Sequence, residues 1–175
     1  MDHERFQHGM RSIQETIWLL VSVYISSPST MPYKDQVVLN LPSSDLEASA
    51  RFATGLGLTS LKEAAGFGAM FQYGENTLIF FHDHKTFKSW LPADRKIPDA
   101  TAVTQVIVSL TAPNRDKVDE MIEGAINSGA KLGPKMVPNE AEYGMHSRSV
   151  EDPDGHLFEV FFHEQDGRCP CATGR

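Results

Sequence analysis

One carboxylate interrupts an apolar run near the end of the chain. In EDPDGHLFEVFF (151–162), Glu159 is the sole polar residue of the strand-like stretch LFEVFF. Side chains alternate across a strand, so Glu159 shares its face with Leu157 and Phe161. A carboxyl held among apolar groups is disfavoured in its charged form, and this is how proteins poise such a group for proton transfer near neutral pH. The alternative is an edge-exposed Glu159, or one paired with Arg148 from the neighbouring strand. Arg148, and after it Tyr143, are also candidates for holding a carboxylate or enolate oxygen. Histidines supply the remaining titratable chemistry. His82 and His84 fall on one strand face of HDH (82–84), and His163 lies four residues past Glu159. That separation is about 13 Å along an extended strand, too far to share one ion without a bend. Solvated histidines at strand ends are the simpler account.

These groups need strands and turns to hold them. QVVLNL (36–41) is β-branched and apolar and predicts a strand, which runs into PSSDLE, where Ser44 and Glu47 form an S-x-x-E capping box. Leu46, Ala50, Ala53 and Leu56 follow at helical spacing, and the glycines of GLGL (55–58) end the helix. AMFQYG and TLIFFH predict two strands around the turn GEN (74–76). After a connector holding Trp90, Pro92 and Pro98, the order returns. QVIVSLT (105–111) predicts a strand, and a helix follows from Asn114 to about Ser128, with Val118, Met121, Ile122, Ala125 and Ile126 on one face and Gly129 as its stop. KMV (135–137) and HSRSV (146–150) predict further strands, and the turn DPDG (152–155) leads into LFEVFF. The halves also share letters. GENTLIFFHD (74–83) lies over GHLFEVFFHE (155–164), matching Gly74 with Gly155 and Phe80-Phe81-His82 with Phe161-Phe162-His163. Internal duplication is the economical explanation.

Composition limits the function classes. The chain has 175 residues, 41% of them apolar, which suffices for one substantial core. With 16 basic against 23 acidic residues the net charge is −7, which argues against a nucleic-acid partner. Cys169 and Cys171, both in the tail GRCPCATGR, are too few and too close to the end to frame a disulfide fold, and a reducing, cytoplasmic setting fits them. The apolar run IWLLVSVYI (17–25) falls short of the ~20 residues a membrane span requires. Arg11 ahead of it and small residues after it fit a secretory signal, whereas Asp2, Glu4 and Glu15 weaken one. Residues 1–30 therefore read as an extension or as the product of an upstream start, 31–166 as the domain and 167–175 as a flexible tail.

NLPSSDLEASARFATGLGL and EDPDGHLFEVFF resemble patterns of the vicinal oxygen chelate superfamily, which groups glyoxalase I, bleomycin-resistance proteins and extradiol dioxygenases. The resemblance covers residues 36–165 and implies an α+β fold of two tandem βαβββ modules, about 36–84 and 104–165, joined by a linker over 85–103. Each module would curl its sheet around a cup that holds ligand and metal. The superfamily's metal-ligand points fall on Val38, on Leu78 or Phe80, on Ile107 and on Glu159. Only Glu159 is a ligand type, so the implied cofactor is none, or one weakly held divalent metal completed by water or a second chain. Asn40, Gln105 and Ser109 share the cup face if Val38 and Ile107 lie on it, and would hydrogen-bond a substrate's carbonyl or hydroxyl beside Phe80. The connector over 84–98 is either a lid that brings Trp90 to the substrate or a linker with an aromatic peg.

The resemblance implies a glyoxalase-like lyase or isomerase acting on a small carbonyl or enolisable molecule by proton transfer through Glu159, with Asn40, Arg148 or a weakly held metal stabilising the oxyanion. The missing ligands argue against lactoylglutathione lyase and extradiol dioxygenase chemistry. The alternatives are a bleomycin-resistance type protein that sequesters an aromatic or cationic compound, and a metal-free tailoring enzyme of natural products. A homodimer is expected, because superfamily members usually build the cup with a partner chain.

Overall fold

Alternating strands and two amphipathic helices become two copies of one βαβββ unit in the computed structural model, which describes residues 35–64 and 68–164. The expected extension over 1–30, the apolar run 17–25, both cysteines and the tail over 167–175 lie outside those residues. The first unit comprises β1 (Val37–Ser43), α1 (Leu46–Gly55), β2 (Thr59–Ala64), β3 (Gly68–Tyr73) and β4 (Thr77–Asp83). A short helix α2 (His84–Ser89) follows. The second unit comprises β5 (Ile107–Thr111), α3 (Arg115–Asn127), β6 (Lys131–Leu132), β7 (Met145–Glu151) and β8 (Leu157–His163). The sheets run β1-β4-β3-β2 and β5-β8-β7-β6. In each, the first and last strands pair parallel and the others antiparallel. Parallel pairing demands a crossover, which α1 and α3 begin. Gly74 and Gly155, matched by the duplication, both take positive φ in their turns.

Three local expectations change. The cap of α1 is Asp45 and not Ser44: the Asp45 Oδ1 accepts the N–H groups of Glu47 and Ala48, both at 3.0 Å. Residues 135–137 form no strand, because Pro134 and Pro138 flank them and cannot donate to a ladder. The strand there is Lys131–Leu132, and further along the open edge of β7 the Glu140 Oε2 accepts the Ser147 N–H at 3.0 Å and its hydroxyl at 2.8 Å. Gln105 precedes β5 in coil and is exposed.

Both helices bury their apolar faces in a single cluster. Phe52, Ala53 and Leu56 of α1 and its end join Leu41, Phe71, Ile79 and Phe81. Val118, Met121, Ile122 and Ala125 of α3 join Val108, Leu110, Val150, Phe158 and Val160. Each large side chain so buried contributes about 1.5–3 kcal/mol. The modules meet where α1 approaches α3, and the rings of Phe52 and Phe158 touch edge-on at 5.0 Å. At the crossing the backbones nearly touch: a Cβ on Gly124 would sit 2.2 Å from the Gly55 carbonyl oxygen.

A polar clamp adds to this contact. The Asp154 Oδ1 accepts the Ser44 N–H at 2.9 Å, and the His156 Nε2 donates to the Pro42 carbonyl at 2.9 Å. Asp152 shapes the turn from below, its Oδ1 accepting the N–H groups of Asp154 at 3.0 Å and His156 at 2.8 Å. Its Oδ2 is buried with no hydrogen-bond partner among the described residues. Burial pushes the Asp152 carboxyl up to about 6, although His156 pulls the other way. No helix among the described residues is long and apolar enough to cross a membrane.

Two outcomes are expected. Gly124→Ala in an open helix would gain up to about 1 kcal/mol, but here it forces α1 and α3 apart and costs about 1–3 kcal/mol, lowering the thermal midpoint by several degrees. For Asp152 the folded chain binds the proton more tightly than the unfolded one. Its share of stability is therefore present below about pH 4 and lost as the pH rises through about 6. Asp152→Asn should flatten that part of the profile in urea unfolding from about pH 4 to about pH 8.

Candidate functional site

Strand alternation divides each sheet into a face that meets a helix and a face that does not. Leu39, Leu41, Ile79 and Phe81, and likewise Val108, Leu110, Phe158 and Val160, belong to the core. Their alternates point away from it. In the first sheet these are Val38, Asn40, Leu78, Phe80 and His82; in the second they are Ile107, Ser109, Leu157, Glu159, Phe161 and His163. The outer faces are open along both first strands, with Val38 44% and Ile107 47% exposed.

Glu159 lies on this outer face of β8, a strand with neighbours on both sides, so it is not an edge residue. It stands between Ser109 of β5 and Ser149 of β7 in the ladder. The Ser109 hydroxyl donates to the Glu159 Oε2 at 2.7 Å, which fixes one carboxylate oxygen. Register therefore sets Ser109, rather than Ile107, beside Glu159, while Val38 faces Leu78 in the first sheet. The duplication overlays Leu78 on Glu159, since Gly74 matches Gly155. The four equivalent points thus carry Val38, Leu78, Ser109 and Glu159. One carboxylate, one hydroxyl and two hydrocarbon side chains fall short of the three protein ligands of a zinc-type site. Among the described residues no group of three or more His, Cys, Asp or Glu gathers to hold a metal.

Arg148 does not reach the cup. It stands opposite Val160 on the helix side of β7. Its Nη1 bonds the Glu123 Oε1 at 2.8 Å and the Asp119 Oδ1 at 3.2 Å, which fastens β7 to α3. His146 also meets Asp119, at 3.1 Å. Slight burial works against the Asp119 carboxylate, but the hydrogen bonds from His146 and Arg148 outweigh it and hold the group below the usual range. Tyr143 is exposed in the short turn Glu140–Tyr143.

His82 is the residue that sequence reasoning misplaced. It is not a solvated strand end: it is 1% exposed, and its Nε2 bonds the Asn40 Oδ1 at 2.9 Å. Its ring lies 3.7 Å from that of Phe80 and 4.4 Å from that of Trp90, centroid to centroid. Burial draws the imidazole down to about 4 against the opposing charge of Asp83. The repeated Phe-Phe-His marked the position, but its cover comes from Trp90, delivered by α2. Asp83 caps that helix, accepting the N–H of Thr86 at 2.9 Å and its hydroxyl at 2.6 Å. The connector therefore places its aromatic peg on the outer face of the first sheet, with Trp90 itself half exposed. His84 begins α2 and does not extend the strand with His82. On the second sheet a hollow of about 360 Å³ is lined by Thr111, Ala112, Pro113, Phe161 and His163. The outer faces thus offer one hydroxyl-anchored carboxylate, one anchored amide and aromatic walls.

The family model described as the Glyoxalase/Bleomycin resistance protein/Dioxygenase superfamily matches residues 35–160. No curated protein matches the chain. Among solved structures, a glyoxalase/bleomycin resistance protein/dioxygenase family enzyme from Burkholderia phytofirmans is similar at 18% identity and a TM-score of 0.59, over 74% of this chain and 98% of that one. A lactoylglutathione lyase from Agrobacterium tumefaciens is similar at 22% identity and a TM-score of 0.53, over 79% and 100%. A mutant of a genomically encoded fosfomycin resistance protein from Listeria monocytogenes, complexed with Mn(II) and a dihydroxypropylphosphonic acid, is similar at 15% identity and a TM-score of 0.54, over 81% and 99%. At these identities the likeness is one of fold.

Because Arg148 joins β7 to α3, Arg148→Gln should lower stability by about 1 kcal/mol through its half-exposed ion pairs. Ligand binding and any Glu159-dependent activity, measured on the folded variant, should stay unchanged.

Proposed function

We propose that this chain, which belongs to the Glyoxalase/Bleomycin resistance protein/Dioxygenase superfamily, binds a small carbonyl or enolisable molecule and moves a proton on it through Glu159, as a lyase or isomerase does. The observation that carries this is the placement of Glu159 on the outer face of an internal strand, with Ser109 donating to one of its oxygens at 2.7 Å. A carboxylate anchored through one oxygen presents the other in a fixed direction, which is what proton abstraction requires. The C–H bond next to the carbonyl breaks, its electron pair forms the C=C bond of an enolate as the C=O π pair moves onto oxygen, and the proton rests on Glu159 before its return to the neighbouring carbon, where the reverse shift restores a C=O bond. The developing oxyanion needs a donor, and Asn40 is the candidate on the other sheet. No step passes through a metal, because Val38, Leu78 and Ser109 give an ion nothing to match Glu159.

The modules of one chain join through α1 and α3, and their outer faces carry exposed Val38 and Ile107. A second copy of the chain covers these residues by setting its second sheet against the first sheet here, so that Asn40 and Phe80 of one copy complete a cup with the Glu159 of the other. We place this homodimer in the cytoplasm on cysteine usage. Val38 and Leu78 at metal-ligand points favour a second function, sequestration of an apolar or aromatic compound without turnover.

Deuterium uptake from D2O into small dicarbonyls and hydroxyketones, followed by proton NMR, distinguishes the two. Glu159→Gln should lower exchange by about a hundredfold or more, and Ser109→Ala by about tenfold through loss of orientation. Undiminished exchange in Glu159→Gln would remove the catalytic role, and ligand retention without any exchange would assign the cup to sequestration.

A further inference from the structure

The first sheet holds a polar pair whose chemistry dictates what kind of group it can recognise. Asn40 is exposed on the outer face of β1, level with Phe80. Behind it, His82 is walled in by Phe80 and Trp90. Gly68 pairs with His82 on β3, and a Cβ there would come 2.5 Å from the Phe80 ring and 3.2 Å from the His82 Nδ1. A side chain at 68 would therefore collide with the Phe80 ring and the Phe81 carbonyl and crowd the imidazole.

As the amide is oriented, the Asn40 Oδ1 accepts, which puts the ring proton on Nε2. Nδ1 is then a bare lone pair, buried with no partner among the described residues. The opposite arrangement would bury an N–H in the same partnerless position, and orphaned donors are rarer in proteins than under-satisfied acceptors. A neutral ring also agrees with the depressed imidazole basicity that burial produces. With its oxygen turned to His82, Asn40 presents its amide N–H bonds to the cup. The chain carries a net charge of −7, so a neutral donor is also a means of taking an oxyanion without a cation in the pocket.

We propose that His82 is a positioning residue that turns the Asn40 amide so that its N–H bonds face the cup, and that Asn40 recognises a carbonyl, carboxylate or enolate oxygen of the ligand. A ligand hydroxyl meets these N–H bonds by accepting. This rests on the small-carbonyl reading of the cup and narrows it: the bound molecule turns an oxygen lone pair toward the first sheet and its acidic C–H toward Glu159.

The full chain, labelled with ¹⁵N, tests this without a known substrate. At about pH 7 the His82 ring should show a protonated Nε2 and an unprotonated Nδ1, assigned by comparison with His82→Gln. A protonated Nδ1, or an imidazolium, overturns the inference whatever the activity. Pyruvate, which carries both a ketone and a carboxylate, is the probe for the second half, read from the side-chain amide cross-peaks of Asn40. His82→Leu fills the space but cannot donate, and should weaken pyruvate binding about tenfold. His82→Gln, whose amide reaches the same point, should retain it within about threefold, and Asn40→Asp, which offers acceptors only, should abolish it. A residue that merely fills space would give the reverse order, leucine tolerated and glutamine not. Leucine binding pyruvate as well as wild type therefore overturns the positioning role, as does an Asn40 amide indifferent to pyruvate in the wild type. Pyruvate contact at Asn40 with no Glu159-dependent exchange supports the inference while removing the proton-transfer reading.

Discussion

The close crossing of α1 and α3 sets the rest of the molecule. Two glycines let the helix backbones approach until a single methyl group would collide, and each helix brings its own sheet with it. The apolar halves of both sheets are consumed in that shared core. The other halves, with Glu159 on one sheet and Asn40 on the other, are left facing outward. Every chemical property of the chain then follows from surfaces that the fold itself does not cover. It also explains why Val38 and Ile107 are exposed at positions where β-branched side chains normally add to a core.

The turn DPDGH serves two purposes. Its proline and glycine set the geometry that delivers β8, and so aim Glu159. Its Asp154 and His156 reach into the other module and take up a backbone N–H and a backbone carbonyl near the start of α1. The carboxylate there also complements the positive end of the helix dipole. A change in this turn therefore acts on two things together, the direction of the acid group and the attachment of the modules. Separating these effects requires stability and function to be measured on the same variant.

Much of this was legible from the letters, because its causes are local. Period and turn chemistry gave most of the strands, though not β2 or β6, together with the start of α3 at Asn114 and the hairpin turns, and the duplication gave the order of elements. What escaped depends on partners distant in sequence. Ser44 resembles a cap residue, yet its N–H goes to Asp154, 110 residues away, and Asp45 takes the capping role. Arg148 has the charge for an anion site but the wrong strand parity, and it spends that charge on α3. His82 looked like a strand end because its cover is a tryptophan from the next helix. Its partner Asn40 could have been found by aligning the parallel strands, which set the two near each other on one face.

The edge of β7 has a different significance. Over most of its length no strand pairs with it, and a row of open backbone groups at such an edge invites another chain to add on. Glu140 occupies part of that edge with a carboxylate, taking both the amide and the hydroxyl of Ser147. A negative side chain folded over the border, two prolines in the preceding segment and a two-residue β6 make the second sheet a poor template for lateral growth. Polymerisation along the strand-stacking direction is thereby discouraged at the border of the sheet that carries the acid.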